Sequence, residues 1–261
     1  MRGIAASRAQ QGRSLLAGVE AYSQIVARAI GQALSLLPPN QDVATSSDAT
    51  ARGLILFCAE QGFAGAFNER IFCALPPDAN RTVNFVIGTR GAAMATDRRI
   101  PIAWSAAMTT QVGGIAALAN RVAEALYERI AGGFLARVDI IYSRATPGRG
   151  IEISRRSLFP VDFRDFPPSV GRQPPIVTLA PPVLLERLAA EYVYAQLCEA
   201  ATCAFAAENE ARMAVMAAAK TNIETKLGTL SDRERRLRQE DITAEVVELA
   251  AGTEALRRAP R

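Results

Sequence analysis

Few residues of this chain could carry out acid, base or nucleophilic chemistry. Its 261 residues include no histidine, which excludes Ser-His and Cys-His nucleophile pairs, histidine metal sites and the usual general base near neutral pH. The four cysteines form no C-x-x-C pair, so we predict free, buried thiols and neither a zinc site nor a disulfide. They are Cys58, Cys73, Cys198 and Cys203. Most common enzyme designs are thereby excluded.

Two glycine-containing turns are weak candidates for a phosphate site. Residues 61–68 (QGFAGAFN) follow a predicted strand and open a helix, where backbone N–H groups can bind an anion. The turn lacks the third glycine of a dinucleotide fingerprint and the Lys-Ser/Thr of a P-loop. Residues 88–91 (GTRG) match no better. We therefore favour structural turns and predict no cofactor.

Charged side chains near the C-terminus could bind nucleic acid or act as acid and base. Four arginines lie close together, at Arg233, Arg235, Arg236 and Arg238. Interleaved acidic residues cancel much of their field, and no aromatic residue lies among them for base stacking. We favour a helix face that contacts protein, and no nucleic acid. Glu245 and Glu248 are predicted on a helix surface outside any pocket, which gives acid/base catalysis little support.

The dominant element is one very long helix over residues 181–258. The pair Pro181-Pro182 suits a helix start, and apolar residues then recur at threes, fours and sevens. Such a helix would be about 110 Å long. A compact domain built from the rest of the chain would be only about 35 Å across. Something outside this chain's own core must therefore accept much of the apolar stripe.

A second amphipathic helix is predicted over residues 1–38, before Pro38-Pro39. Helices at opposite ends of a chain can pair as an antiparallel coiled coil. The first helix covers only about half of the second by its length, so the part beyond roughly residues 212–220 has no partner in the chain.

Between the helices, residues 51–175 alternate short β-type runs with helical ones, the pattern of a parallel α/β sheet. Strands are predicted at residues 53–59, 82–88 and near Pro101, with a final pair within residues 136–161 around Pro147-Gly148, and an amphipathic helix at residues 115–131.

The composition sets further limits on the class of protein. The chain is 49% hydrophobic, which is enough for one core, and its net charge of +4 favours acidic partners. It has no apolar run long enough for a bilayer and no signal-peptide core at its start, so we expect a soluble intracellular protein.

Four segments resemble one family, in order and spacing. Residues 238–256 (RQEDITAEVVELAAGTEAL) resemble the C-terminal signature of the gamma subunit of F-type ATP synthases. Residues 208–222 (ENEARMAVMAAAKTN), 59–68 (AEQGFAGAFN) and 1–10 (MRGIAASRAQ) resemble further family segments. The resemblance implies an α/β fold in which an antiparallel coiled coil of N- and C-terminal helices carries an inserted Rossmann-like domain.

The resemblance also implies a function without catalytic residues of its own. The long helix would be a rotary shaft inside a hexamer of alpha and beta subunits, and the α/β domain its foot on the membrane c-ring, with the epsilon subunit as a further partner. The complex would be peripheral, on the cytoplasmic face of the inner (plasma) membrane. By position, Arg238, Gln239, Thr243 and Glu245 match residues that bind the catalytic subunits' catch loop. Arg212 matches a shaft arginine facing their acidic lever segment.

Some positions depart from the family pattern and leave alternatives open. Compared with the family the chain begins late, so that about 20 residues of the family's N-terminal helix have no counterpart. Thr178 stands where a glutamate near the ring is usual. A gamma subunit of an alternative, sodium-linked ATPase is one alternative. A stand-alone nucleotide-binding α/β enzyme with a helical tail is another, and it predicts ATP or NAD binding near Gly62 and Gly65. A nucleic-acid-binding helix protein is a third, and it predicts salt-dependent affinity for DNA.

Overall fold

The computed structural model describes residues 2–37, 51–146, 148–166 and 175–258. The helices are α1 (Arg2–Leu34), α2 (Phe67–Cys73), α3 (Thr89–Asp97), α4 (Ile115–Ala131) and α5 (Pro181–Arg258). The strands are β1 (Arg52–Phe57), β2 (Val83–Ile87), β3 (Trp104–Ala106), β4 (Arg137–Thr146) and β5 (Gly150–Phe159). The chain divides into two compact units, Met1–Val215 and Met216–Arg261.

The five strands form one mixed sheet in the order β3-β2-β1-β4-β5. The first four strands in this order are parallel, and β5 pairs antiparallel with β4 as a hairpin. Residues 54–57 of the central strand β1 are fully buried, because helices cover both faces of the sheet and a strand in that position is apolar throughout. The predicted parallel sheet is therefore correct for four strands and becomes mixed at β5.

Helices lie on both faces of the sheet. On one face, Val26 and Ile30 of α1, Leu118 of α4 and Phe205 of α5 share a core with Phe57 of β1. On the other face, α2 and α3 cover the alternate residues of β1 and β2. The first unit is thus a three-layer α/β body whose outer layer on one side includes the helix pair.

Contacts between α1 and α5 show that they run antiparallel. Arg13 pairs with Glu210 at 3.1 Å, whereas Ser23 accepts a hydrogen bond from Gln196 at 2.9 Å, so positions rise along α1 as they fall along α5. The helices approach closely at Gly12, where an added Cβ would lie 3.0 Å from the Cβ of Ala206. The predicted antiparallel helix pair with an α/β domain between its helices is confirmed.

Some local predictions need correction. Helix α3 begins at Thr89, where a turn was the favoured reading, and α1 ends at Leu34, with residues 35–37 forming a turn. Three thiols are buried as predicted, but Cys73 is exposed. The polar sequence of residues 40–51 predicts a loop, and residues 166–175 are rich in proline; both stretches lie largely outside the described residues. In the described part of the chain, no helix combines the length and apolar character that crossing a bilayer requires.

Candidate partner-binding surface

The second unit presents an exposed amphipathic stretch of α5. From residue 218 to residue 250 every side chain is exposed except Ser231, which is half-buried. Its large apolar side chains are between 51% and 71% exposed: Ile223, Leu227, Leu230, Leu237, Ile242, Val246, Val247 and Leu249. Single exposed apolar residues are ordinary, but a long series on one helix marks an interaction surface.

All of these apolar residues except Val247 form two strips. With about 100° of rotation per residue, Ile223, Leu227, Leu230 and Leu237 fall within an arc of about 80°. The same rotation displaces the strip of Ile242, Val246 and Leu249 by about 100° around the helix. A partner that covers both strips must therefore contact more than one side of α5.

The four C-terminal residues predicted to bind a partner lie where one strip gives way to the other. Arg238, Gln239, Thr243 and Glu245 are all exposed. Gln239 and Thr243 are one turn apart, as are Arg238 and Ile242, so the polar groups border the second strip. Arg238 donates to Glu234 at 2.9 Å. Contact of these residues with a partner stays a prediction.

Local interactions support the exposed helix. Lys220 and Glu224 form an ion pair of 3.5 Å one turn apart, and Glu234 pairs with Arg238 in the same way. Four threonine hydroxyls donate to the backbone carbonyl four residues earlier: Thr221, Thr225, Thr229 and Thr243. The two ion pairs stabilise the helix by about 0.2–0.5 kcal/mol each, whereas the threonine bonds satisfy the hydroxyls without adding helix stability. The surface is therefore a preformed helix.

Arg212, the fifth predicted partner-binding residue, is buried within the first unit. Its Nε donates to the Gly62 carbonyl at 3.2 Å, and its Nη2 donates to the Gln61 carbonyl at 3.2 Å. The same guanidinium forms an ion pair with Glu208 and donates to Asn209 at 3.1 Å. These contacts fasten α5 to the turn after β1. Contact with an acidic partner segment stays a prediction.

Burial raises the pKa of the Glu208 carboxyl, and the Arg212 hydrogen bond and charge offset only part of that rise. The carboxylate also accepts a hydrogen bond from the Gln61 backbone N–H at 3.3 Å. Burial likewise raises the pKa of the nearby Cys58 thiol to about 12, with a further contribution from the Glu208 charge. Cys58 is therefore a neutral core thiol, not a nucleophile.

The candidate phosphate turn at residues 88–91 is occupied by a carboxylate of the chain itself. The Glu60 carboxylate accepts from the Thr89 backbone N–H at 3.0 Å, from the Thr89 hydroxyl at 2.6 Å and from the Met108 N–H at 2.8 Å. It thereby occupies the N-terminus of α3, where an anion would bind. In the other turn, Asn68 accepts from the Ala59 N–H at 2.8 Å. These contacts fit the structural reading of residues 88–91, whereas residues 61–68 line an open cleft of about 300 Å³. The contacts of Glu60 were not predicted from the sequence.

Helix α5 also covers the place where open α/β sheets bind ligands, the crevice at the carboxyl ends of neighbouring parallel strands. The turn after β1 contacts Arg212, and Arg144 near the end of β4 pairs with Glu199 at 2.6 Å. Within the described ranges, no three His, Cys, Asp or Glu side chains converge to hold a metal ion. In the first unit, α5 therefore lies where a ligand would bind in an open α/β sheet.

The first unit is an α/β body packed against two antiparallel helices, and one of these helices also carries an exposed amphipathic stretch. This combination is typical of a stalk-type protein that binds other subunits. A family model described as ATP synthase matches residues 1–256, and the chain belongs to the gamma-subunit family of ATP synthases. The ATP synthase gamma chain of Moorella thermoacetica is 26% identical, with 98% of this chain and 92% of that protein aligned. That of Kineococcus radiotolerans is 23% identical, with 97% and 89% aligned.

Solved structures share the fold. The chain is similar to one in the mitochondrial ATP synthase central stalk and c-ring of Tetrahymena thermophila, with a TM-score of 0.59 and 17% identity over 84% of this chain and 97% of that one. A chain of the Euglena gracilis mitochondrial ATP synthase matches with a TM-score of 0.56 and 15% identity over 98% of both chains. At this identity the similarity is one of fold.

Proposed function

We propose that this chain is the non-catalytic central-stalk gamma subunit of an F-type ATP synthase. In this function it couples ion-driven rotation of a membrane ring to ATP synthesis or hydrolysis in a hexamer of alpha and beta subunits. The observation that carries the proposal is the pair of exposed apolar strips on α5 in a member of this family. A rotating, asymmetric shaft needs only different contacts with each subunit in each state, because those differences bias the nucleotide affinity.

The proposed contacts with the catalytic subunits involve Arg238, Gln239, Thr243 and Glu245. In a desolvated interface, hydrogen bonds to the two charged side chains would contribute about 1.5–3 kcal/mol each, and less at an exposed rim. Arg238 is already ion-paired with Glu234. The partner must therefore replace or share that pair, which favours an acidic or carbonyl-rich loop opposite this turn. Arg212 would act on the acidic lever segment only by giving up contacts inside the chain.

The α/β body would form the foot on the c-ring and bind the epsilon subunit. In this arrangement the protein is peripheral, part of a complex on the cytoplasmic face of the inner (plasma) membrane. The coupling ion is a proton or, in an alternative sodium-linked ATPase, sodium. Thr178 is exposed just before α5, and in this proposal it replaces an acidic foot contact with a neutral one.

Co-expression with the alpha and beta subunits of the same organism tests the proposal. We expect a stable complex that hydrolyses ATP and drives rotation, and we expect Arg238→Ala or Gln239→Leu to impair ATP-driven rotation. Arg233→Ala is the matched control, because it removes an exposed arginine from a different side of the same helix. Circular dichroism should show that all three variants remain folded. Normal rotation and ATPase rates in Arg238→Ala and Gln239→Leu would contradict the proposed contacts.

The rival function, a nucleotide-binding enzyme, is tested on the isolated chain. Titration calorimetry with ATP and with NAD should give no binding, because residues 61–68 lack the third glycine of a dinucleotide fingerprint and the Lys-Ser/Thr of a P-loop and Glu60 occupies the N-terminus of α3. Saturable binding that is lost on substitution near Gly62 or Gly65 would favour the enzyme instead.

A further inference from the structure

An ion-pair network with one buried carboxylate and two partly exposed arginines joins the sheet to the helix pair in the first unit. Its centre is Glu199 of α5, which is 5% exposed. One carboxylate oxygen of Glu199 accepts from Arg144 of β4 at 2.6 Å and from Arg156 of β5 at 2.9 Å. One side chain on the helix is thus held by two strands.

The network continues onto α1. Arg144 also donates to Glu20 of α1 at 3.1 Å. Arg156 also donates to the Gln196 side-chain carbonyl at 3.0 Å, and the Gln196 amide in turn donates to Ser23 of α1 at 2.9 Å. Two carboxylates and two guanidiniums balance in charge, and the contacts link α1, α5, β4 and β5.

Arg212 and Glu208 hold α5 to the turn after β1, whereas the contacts of α5 with the sheet around Glu199 are less directional. Buried residues of α5 next to Glu199 are mostly small and apolar, such as Ala200, Ala201 and Ala204. Apolar contact is roughly proportional to area and has little directional preference, so it resists sliding weakly. A buried carboxylate that moves away from both arginines loses its charged partners in a place where water cannot replace them. Glu199 therefore resists movement of α5 past the sheet far more than its neighbours do.

We propose that Glu199 is a positioning residue that locks the helix pair to the sheet, so that torque applied to the α/β body is carried into α5. This inference rests on the proposed shaft function and adds a residue through which torque passes from the sheet to α5. Arg144 and Arg156 are its anchors on the sheet. Glu20 is a secondary anchor, because its side chain is 41% exposed and touches only Arg144 of the two.

Torsional stiffness in the assembled complex tests the inference. The complex, with cysteine-free alpha and beta subunits, is immobilised through the hexamer, and a gold rod is attached to the exposed Cys73 of the α/β body. The angular variance of the stalled rod reports the compliance of the linkage. Glu199→Gln keeps an oxygen that the two guanidiniums can donate to but removes the negative charge that they share, so the variance should rise, by up to about twofold. Glu186→Gln, at an exposed site on the same helix, should leave the variance unchanged.

The outcomes separate transmission of torque through Glu199 from a purely structural function of Glu199. If Glu199→Gln lowers the melting temperature of the chain but leaves the rod's variance unchanged, the inference is overturned. Should that variant fail to assemble, Glu20→Gln takes its place, and it should give a smaller rise in variance; no rise would overturn the inference. If the unsubstituted chain neither assembles nor rotates, the proposed function has failed. That result differs from the results for Glu199→Gln and Glu20→Gln, which test only the inference.

Discussion

The two parts of α5 offer the sharpest comparison in the molecule. Residues 185–212 include many small or aromatic side chains packed against α1 and the sheet, with Leu197, Ala201 and Phe205 almost completely buried. Residues 216–250 alternate charged side chains with exposed leucine, isoleucine and valine. One continuous secondary structure is therefore stabilised by tertiary packing in its first part and by local helix interactions in its second. The second part therefore carries apolar side chains that its own unit does not bury and that a partner could cover.

The largest expected difference in stability is between substitutions in two ion pairs that have the same spacing on α5. Glu208–Arg212 is buried, whereas Glu234–Arg238 is exposed. Removing one partner of a buried pair leaves an uncompensated charge, so Arg212→Gln should lower the free energy of unfolding by about 3–5 kcal/mol. Arg238→Gln should lower it by less than about 1 kcal/mol. Urea denaturation of the isolated chain measures both, and equal losses would break the comparison.

The same pair gives a pH dependence with a definite sign. Burial raises the pKa of Glu208 in the folded chain above its value in the unfolded chain. Between those two values the folded state binds more protons, so the Glu208 contribution to stability is lost as the pH rises. In Arg212→Gln the carboxylate loses its cation, so the deficit relative to the unsubstituted chain should be smaller at pH 5 than at pH 8. A deficit that grows on acidification would show that Glu208 is not the destabilised group.

The same leucine-to-alanine truncation at two positions of α5 should have very different effects on the free energy of unfolding. Leu197 is fully buried and Leu230 is 60% exposed. Leu197→Ala should cost about 2–5 kcal/mol of unfolding free energy, because it removes apolar contact and leaves a cavity. Leu230→Ala should change it by no more than about 0.5 kcal/mol. A large loss at Leu230 in the isolated chain would mean that the exposed strip is already covered.

Glycines on α1 test the close approach of the helix pair. A methyl group at Gly12 would press on Ala206, whereas one at Gly18 would meet nothing within 4 Å. Gly12→Ala should destabilise the chain by about 1–3 kcal/mol through overpacking. Gly18→Ala should stabilise it by about 0.5–1 kcal/mol, because alanine loses less backbone freedom in a helix. Thermal unfolding of the two variants gives the comparison, and stabilisation by both would mean that α1 and α5 are further apart.

The smallest expected effect is local to the second part of α5. A Cβ at Gly228 would also meet nothing within 4 Å. Gly228→Ala should slow amide exchange in the neighbouring turns by the equivalent of about 0.5–1 kcal/mol without changing unfolding of the first unit. Faster exchange would indicate that this stretch is stabilised by contacts other than its own helix.

Periodicity and helix-end signals predicted the elements well where one face is strongly apolar. Helix α4 spans residues 115–131 as expected, and α5 begins at the proline pair. Helix α3 was missed because its sequence, TRGAAMATD, has small residues and no clear apolar stripe. The β4–β5 hairpin could be predicted because two β-type runs flank one short turn.

The contacts that define the sites could not be predicted in the same way. Arg212 reaches Gln61 across 151 positions of sequence, and Glu60 reaches Met108 across 48. Such pairs depend on the packing of α5 and α3 against the sheet. A sequence pattern shows that a charged residue is present but not which carbonyl or N–H group it meets, so the contacts of Arg212 inside the chain were not predicted. Its contact with a partner, which the family resemblance implies, stays a prediction.

Amide hydrogen exchange of residues 223–249, measured in the isolated chain and in its complex with alpha and beta subunits, tests the central claim that foreign subunits cover the exposed part of α5. The isolated chain should exchange these amides with only the protection of a solvated helix, and assembly should slow them strongly while residues 185–212 change little. Unchanged exchange in residues 223–249 within a fully assembled complex would contradict the account.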